Sequence, residues 1–139
     1  MIMTPAKPIP RPTAETLPFW QAAAQGRLVF QHCKNCTRAQ FPPANHCPSC
    51  GNDSLTWQES AAFGSIHSHT TVHRAPTAAF KEDVPYVIAL IDLDEGFRMM
   101  MNWHGDDPAT ARIGDRVRVI FEANDSPWPL PQAVPVQPR

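Results

Sequence analysis

The chain has 139 residues, a formal net charge of -1 and only 18% charged residues, so a clustered basic groove of the kind that tracks a phosphate backbone is not expected. Hydrophobic residues make up 42% of the chain, enough to bury a core, and no apolar stretch approaches the ~20 residues of a membrane helix. The N-terminus lacks the apolar segment of a signal peptide, so a soluble, cytoplasmic protein is expected.

Proline is the compositional outlier, with 16 residues. Pro5, Pro8, Pro10 and Pro12 lie near the start, and Pro127, Pro129, Pro131, Pro135 and Pro138 lie near the end. Proline has no amide donor and continues neither a helix nor a central strand, so both ends are expected to be extended. The organisation expected is a flexible Pro-rich arm over 1–16, a helix and metal-binding segment over 17–55, a β-barrel over 56–125, and a Pro-rich end over 126–139 able to add an edge strand.

Residues 17–25 (LPFWQAAAQ) predict a short helix, with Pro18 in the first turn, helix-favouring alanines and Gly26 as the stop. Phe19, Trp20 and Ala23 share one face of it. Residues 28–32 predict a strand that runs into the first cysteine. Leu55–Trp57 and Ser65–His73 predict further strands, with Gly64 as a bend or bulge. Tyr86–Leu93 is the strongest strand signal, and Asp94-Glu95-Gly96 turns it back into 97–103 as a hairpin. Asp107-Pro108 starts a helical turn over 108–111. Residues 116–122 alternate charged and apolar side chains, as a half-buried strand does. The order predicts a mainly β protein: an N-terminal helix, a metal loop, and a five-stranded barrel of the OB type with a helical interruption before its fourth strand.

Cys33, Cys36, Cys47 and Cys50 are the only cysteines, arranged as two C-x2-C pairs. Two intervening residues let both thiolates of a tight turn face one ion, and two such turns supply a tetrahedral S4 shell. In a reducing compartment the pairs read as metal ligands, not disulfides. A closed S4 shell leaves no open position for substrate, so a structural Zn2+ is expected. A rubredoxin-type iron site would use the same thiolates, with a glycine after the second cysteine of each turn. Gly51 meets that pattern and Thr37 does not. His32 and His46 flank the cysteines, but a full shell leaves them as bystanders.

No nucleophile elbow, phosphate-binding glycine loop or HExxH motif is present. His67, His69 and His73 alternate along a predicted strand and read as a solvated or ligand-facing surface. Asp92, Asp94 and Glu95 read as solvated turn carboxylates, Met99–Met101 as packing filler, and Arg74 as a loop cation. No catalytic residue is assigned.

The stretches FWQAAAQGRL (19–28), FPP (41–43) between the cysteine pairs, TVHRAP (71–76), VPYVIALIDLDEG (84–96) and RIGDRVRVIFE (112–122) together resemble the domain-of-unknown-function family in which a rubredoxin-like zinc ribbon precedes an OB fold. The resemblance spans roughly residues 17–133. It implies the four cysteines as zinc ligands and an accessory role in acyl-CoA metabolism, bound to a thiolase-like or hydratase-like enzyme or to an acyl-CoA. A homodimer is compatible with it. The sequence departs from the family pattern at Thr37, and at His67 and His69, where apolar or aromatic residues are commoner. A single-stranded nucleic-acid-binding OB protein and a rubredoxin-like electron carrier are the alternative readings; the near-balance of 12 basic and 13 acidic residues argues against the first.

Overall fold

The structure, a computed structural model, describes residues 5–136. Helix α1 (Leu17–Ala23) starts with Pro18 in its first turn and ends before Gly26, at a positive φ of 75°. Seven residues are too few to hold a helix in water, so its stability comes from the buried face of Phe19, Ala22 and Ala23. Strands β1 (Val29–Cys33), β2 (Ala39–Gln40) and β3 (Leu55–Glu59) form a small antiparallel sheet in the order β2-β1-β3. β1 ends on Cys33, so the sheet delivers the chain directly into the cysteine segment.

Strands β4 (Phe63–Val72), β5 (Tyr86–Leu93), β6 (Arg98–Trp103), β7 (Arg116–Glu122) and β8 (Leu130–Pro135) close a barrel in the order β4-β5-β6-β8-β7. Every pairing is antiparallel except β6 with β8. Numbered within the barrel, the order is 1-2-3-5-4 closing back on 1, with one parallel pairing between the third and fifth strands, and a single 3-10 turn (Pro108–Thr110) precedes the fourth. This is the five-stranded Greek-key barrel expected of an OB fold. The alternation of β5 is complete: Val87, Ala89, Ile91 and Leu93 point inward and the residues between them are half-exposed.

The C-terminal strand departs from expectation. β8 is not an edge strand but closes the barrel, paired with β7 along its whole length and with β6 at Gln132 and Ala133. Its prolines are accommodated by the alternation of the ladder. The Val136 amide donates to the Arg116 carbonyl. Residues 130, 132 and 134 therefore also turn their amides toward β7, and Pro131 and Pro135 fall on the opposite phase, where pairing with β6 is short.

A second departure lies in β4. Gly64 does not bulge: it sits between Leu93 and Val117 in the ladders, and a Cβ there would lie 2.4 Å from the Asp92 carbonyl oxygen. The bulge comes at His67, which is skipped between the Ile66–Ile91 and Ser68–Leu90 pairs. His67, His69 and His73 consequently do not share the uninterrupted face that alternation predicts, and His73 lies beyond the end of the strand.

One apolar core joins the two sheets. Phe30 of β1 stacks on Phe97 at the start of the second hairpin arm, with ring centroids 4.6 Å apart. Phe41, just after β2, lies 5.3 Å from Phe19 and 6.1 Å from Phe97. Glu95, expected to be a solvated turn residue, makes the polar half of the joint. One of its carboxylate oxygens accepts from Ser60 Oγ and the other from the Ala61 amide, both at 2.8 Å. The short link between β3 and β4 is thus fixed to the β5–β6 turn.

Candidate zinc centre and apolar groove

The two cysteine pairs occupy equivalent turns. The Thr37 amide donates to the Cys33 carbonyl and the Gly51 amide to the Cys47 carbonyl, each at 2.8 Å. Both turns need a left-handed residue: Gly51 has φ 77° and Thr37 has φ 65°. Thr37 therefore adopts the glycine conformation despite its Cβ, at a cost of about 1–3 kcal/mol. The departure noted in the sequence changes the strain of the turn and leaves its shape intact.

The four sulfurs lie within 4.8 Å of one another. Cys33 and Cys50 are 3.7 Å apart and Cys36 and Cys47 are 3.6 Å apart. A tetrahedral ion with Zn–S bonds of about 2.3 Å places its sulfurs about 3.8 Å apart, so the cage has the size zinc requires. Disulfides would bring paired sulfurs to about 2 Å. Polar groups favour thiolate at Cys47 and Cys50, whereas Cys36, despite a lowering backbone hydrogen bond at Arg38, is pushed up to about 11 by burial and the neighbouring sulfurs. Asn35 Nδ2 reaches the Cys50 sulfur at 3.5 Å, and this contact, with a backbone contribution from Asn52, draws the Cys50 pKa down to about 6. The backbone at Cys50 and Ser49 lowers that of Cys47. Among the described residues these cysteines are the one group of three or more His, Cys, Asp or Glu side chains that converges on a common point. His32 and His46 do not join it.

The remaining candidates are dispersed. His67 Nδ1 lies 3.3 Å from Asp92, which Arg98 holds through both carboxylate oxygens at 2.6 and 3.3 Å. The Arg98 hydrogen bonds keep the Asp92 carboxyl below its ordinary pKa. Asp94 is held the same way by Arg116, at 2.8 and 2.7 Å. All of these side chains are about half-exposed, so they form a solvated ladder of ion pairs on the barrel wall. His69, His73 and Arg74 are exposed.

The feature that sequence reasoning missed is an apolar groove of about 470 Å³. The barrel supplies Tyr86, Ile88 and Met100 from the outward faces of β5 and β6; α1 and the ribbon supply Phe19, Trp20 and Phe41. These barrel strands are the second and third, the face OB folds commonly present to ligands. No lysine or arginine lines the groove. The three methionines divide their roles: Met99 and Met101 are buried, whereas Met100 is 68% exposed and the most accessible part of that wall. A second concavity, about 630 Å³ between α1 and β3, mixes apolar lining from Trp57, Trp128 and Val29 with Gln21, Gln58 and the Arg27–Glu59 ion pair.

Residues 20–56 match the family described as "ChsH2, rubredoxin-like zinc ribbon domain", and residues 57–122 match "ChsH2, C-terminal OB-fold domain". The chain belongs to the ChsH2 family. Its zinc ribbon and clustered cysteines fit structural zinc binding. A relative from Methanothermobacter thermautotrophicus, a "DUF35 domain-containing scaffold protein", is 33% identical over 109 residues, covering 77% of this chain and 81% of the relative. A "probable enoyl-CoA hydratase alpha subunit" from Thermomonospora curvata is 37% identical over 122 residues, covering 87% of this chain. This chain spans only 38% of that relative's length. Among solved structures, the one titled "Ltp2-ChsH2(DUF35) aldolase" is similar at a TM-score of 0.81 and 34% identity, covering 91% of this chain and 98% of the matched chain.

Proposed function

We propose that this chain is a non-catalytic accessory protein of acyl-CoA metabolism. Its zinc ribbon, with Cys33, Cys36, Cys47 and Cys50 as ligands, acts as a structural staple for an OB barrel. The barrel's apolar groove takes the acyl part of a CoA ester or seats against an acyl-CoA enzyme, of thiolase-like or hydratase-like type. The observation that carries this reading is the groove on β5 and β6, rimmed by exposed Met100 and free of cationic side chains. Methionine suits a surface that must adapt to an apolar partner. A groove for single-stranded nucleic acid would interleave its aromatics with lysine and arginine. The relatives named as a hydratase alpha subunit and as part of an aldolase complex support the acyl-CoA assignment.

Isothermal calorimetry with octanoyl-CoA, with free CoA as control, tests the small-molecule arm; affinity capture from the native source tests the enzyme arm. The reading predicts heat for the ester that free CoA does not give, or recovery of an acyl-CoA enzyme in near-stoichiometric amount. Failure of both contradicts it. Tight oligonucleotide binding that weakens steeply with salt would replace it.

A further inference from the structure

The groove is built from two units held together in different ways. Its barrel wall belongs to a closed hydrogen-bonded ladder. Its other wall, Phe19, Trp20 and Phe41, belongs to α1 and the ribbon. We propose that Phe41 is the positioning residue through which the zinc centre shapes the groove.

Phe41 lies in the ten-residue segment between Cys36 and Cys47, so both ends of its loop are fixed by metal ligands. Apart from the metal, the loop is held by the two-residue pairing of β2 with β1 and by polar side chains, among them Asn45, which donates to Glu15. From Thr37 to His46 only Gln40 is buried. Gln31 of β1 adds anchorage: its side chain accepts from the Ala44 amide at 2.8 Å and donates to the Ala44 carbonyl at 3.0 Å, and Gln40 Nε2 donates to it. A segment of this kind, with no apolar core of its own, draws its order from the metal. Phe41 passes that order on. It touches Phe19 on one side and faces Phe97 on the other, and Phe19 packs edge-on against Trp20 at 5.0 Å. Helix α1 is too short to keep its place without such a contact. Release of the metal frees Phe41, loosens α1 and removes one wall, while β5 and β6 keep theirs.

Two states of the wall that differ in metal affinity also make the coupling reciprocal: whatever fills the groove raises zinc affinity by the factor by which zinc strengthens its own binding. This consequence rests on the groove being the binding surface proposed above. The coupling between metal and wall does not, and it is tested without any ligand.

The test is hydrogen–deuterium exchange on the full chain, zinc-loaded and after treatment with a strong zinc chelator, with elemental analysis of each sample. Metal removal is expected to speed exchange in α1 and in residues 37–46 by at least about tenfold, while the amides of β5 and β6 keep their protection. In the zinc-loaded Phe41→Ala variant, α1 is expected to lose protection although zinc stays stoichiometric and the barrel is unchanged. Phe41→Leu, which keeps apolar bulk, should restore most of it. The proposal is overturned if α1 keeps its protection without metal, if the barrel wall is lost together with α1, or if Phe41→Ala leaves α1 exchange unchanged. If Phe41→Ala loses zinc, the exchange is repeated in excess zinc until elemental analysis shows a full site: α1 exchange still faster than in wild type sustains the proposal, and α1 exchange equal to wild type refutes it.

Discussion

Thr37 is the position where residue chemistry and backbone demand disagree most openly. The turn after the second cysteine requires a left-handed residue, and threonine adopts it at φ 65° while its counterpart Gly51 does so freely. Thr37→Gly should therefore stabilise the zinc-loaded protein by about 0.5–1 kcal/mol, the strain relieved less the entropy glycine loses on folding. Chemical denaturation of both proteins at equal zinc loading checks the sign. The Asp94–Arg116 pair carries a pH dependence whose direction is fixed by its geometry. Arg116 lowers the folded-state pKa of Asp94, so the pair's stabilisation is present above the ordinary carboxylate pKa and is lost as pH falls through the lowered value. With both side chains about half-exposed, the contribution at neutral pH is only about 0.2–1 kcal/mol. The stability difference between wild type and Arg116→Ala should shrink as the solution is acidified below the carboxylate range, to what the Arg116–Ser65 hydrogen bond contributes.

At the scale of elements, Gly64 sits where a Cβ would meet the backbone of the neighbouring strand. A Cβ 2.4 Å from a backbone carbonyl cannot be relieved by turning a side chain, so Gly64→Ala should cost about 2–3 kcal/mol and lower the thermal midpoint, with zinc content unchanged. The sequence marked Gly64 as special but not why. A bend, a bulge and a close approach all favour glycine, and only the pairing partners distinguish them. Other elements were legible because their signals are local. The alternation of 86–93, the Asp107-Pro108 turn and the cysteine spacing each depend on a few neighbouring residues, and each appears where expected. The two-residue strand β2 carries too little sequence to announce itself. The proline-containing β8 was underestimated because the phase that places its prolines away from β7 is a property of the ladder. The histidine alternation failed for a related reason: one skipped residue at position 67 breaks the period, and no local feature reports it. Glu95 was read as solvent-facing, since Ser60, its partner, is 35 residues away.

On the scale of the whole molecule, the cysteine cluster and the apolar groove are separate features, and aromatic contacts of Phe41 with Phe19 and Phe97 lie between them. The cysteine cluster was readable from four residues. The groove was not, because its walls come from α1, the ribbon and two barrel strands that only the tertiary fold assembles. No helix among the described residues is long and apolar enough to cross a membrane. The apolar groove is proposed to serve an acyl-CoA enzyme or its substrate. Met100 probes it cleanly: at 68% exposed, it accepts a charge without disturbing the barrel interior. The most direct measurement is quantitative affinity capture from the native source, comparing wild type with a zinc-loaded Met100→Glu variant, followed by reconstitution of the captured pair. The account predicts an acyl-CoA enzyme recovered with wild type and reduced at least about tenfold with Met100→Glu, a loss of about 1.4 kcal/mol or more in binding. Equal recovery by both proteins would contradict the placement of the surface, and recovery of no such enzyme, together with no heat on titration of octanoyl-CoA, would contradict the function itself.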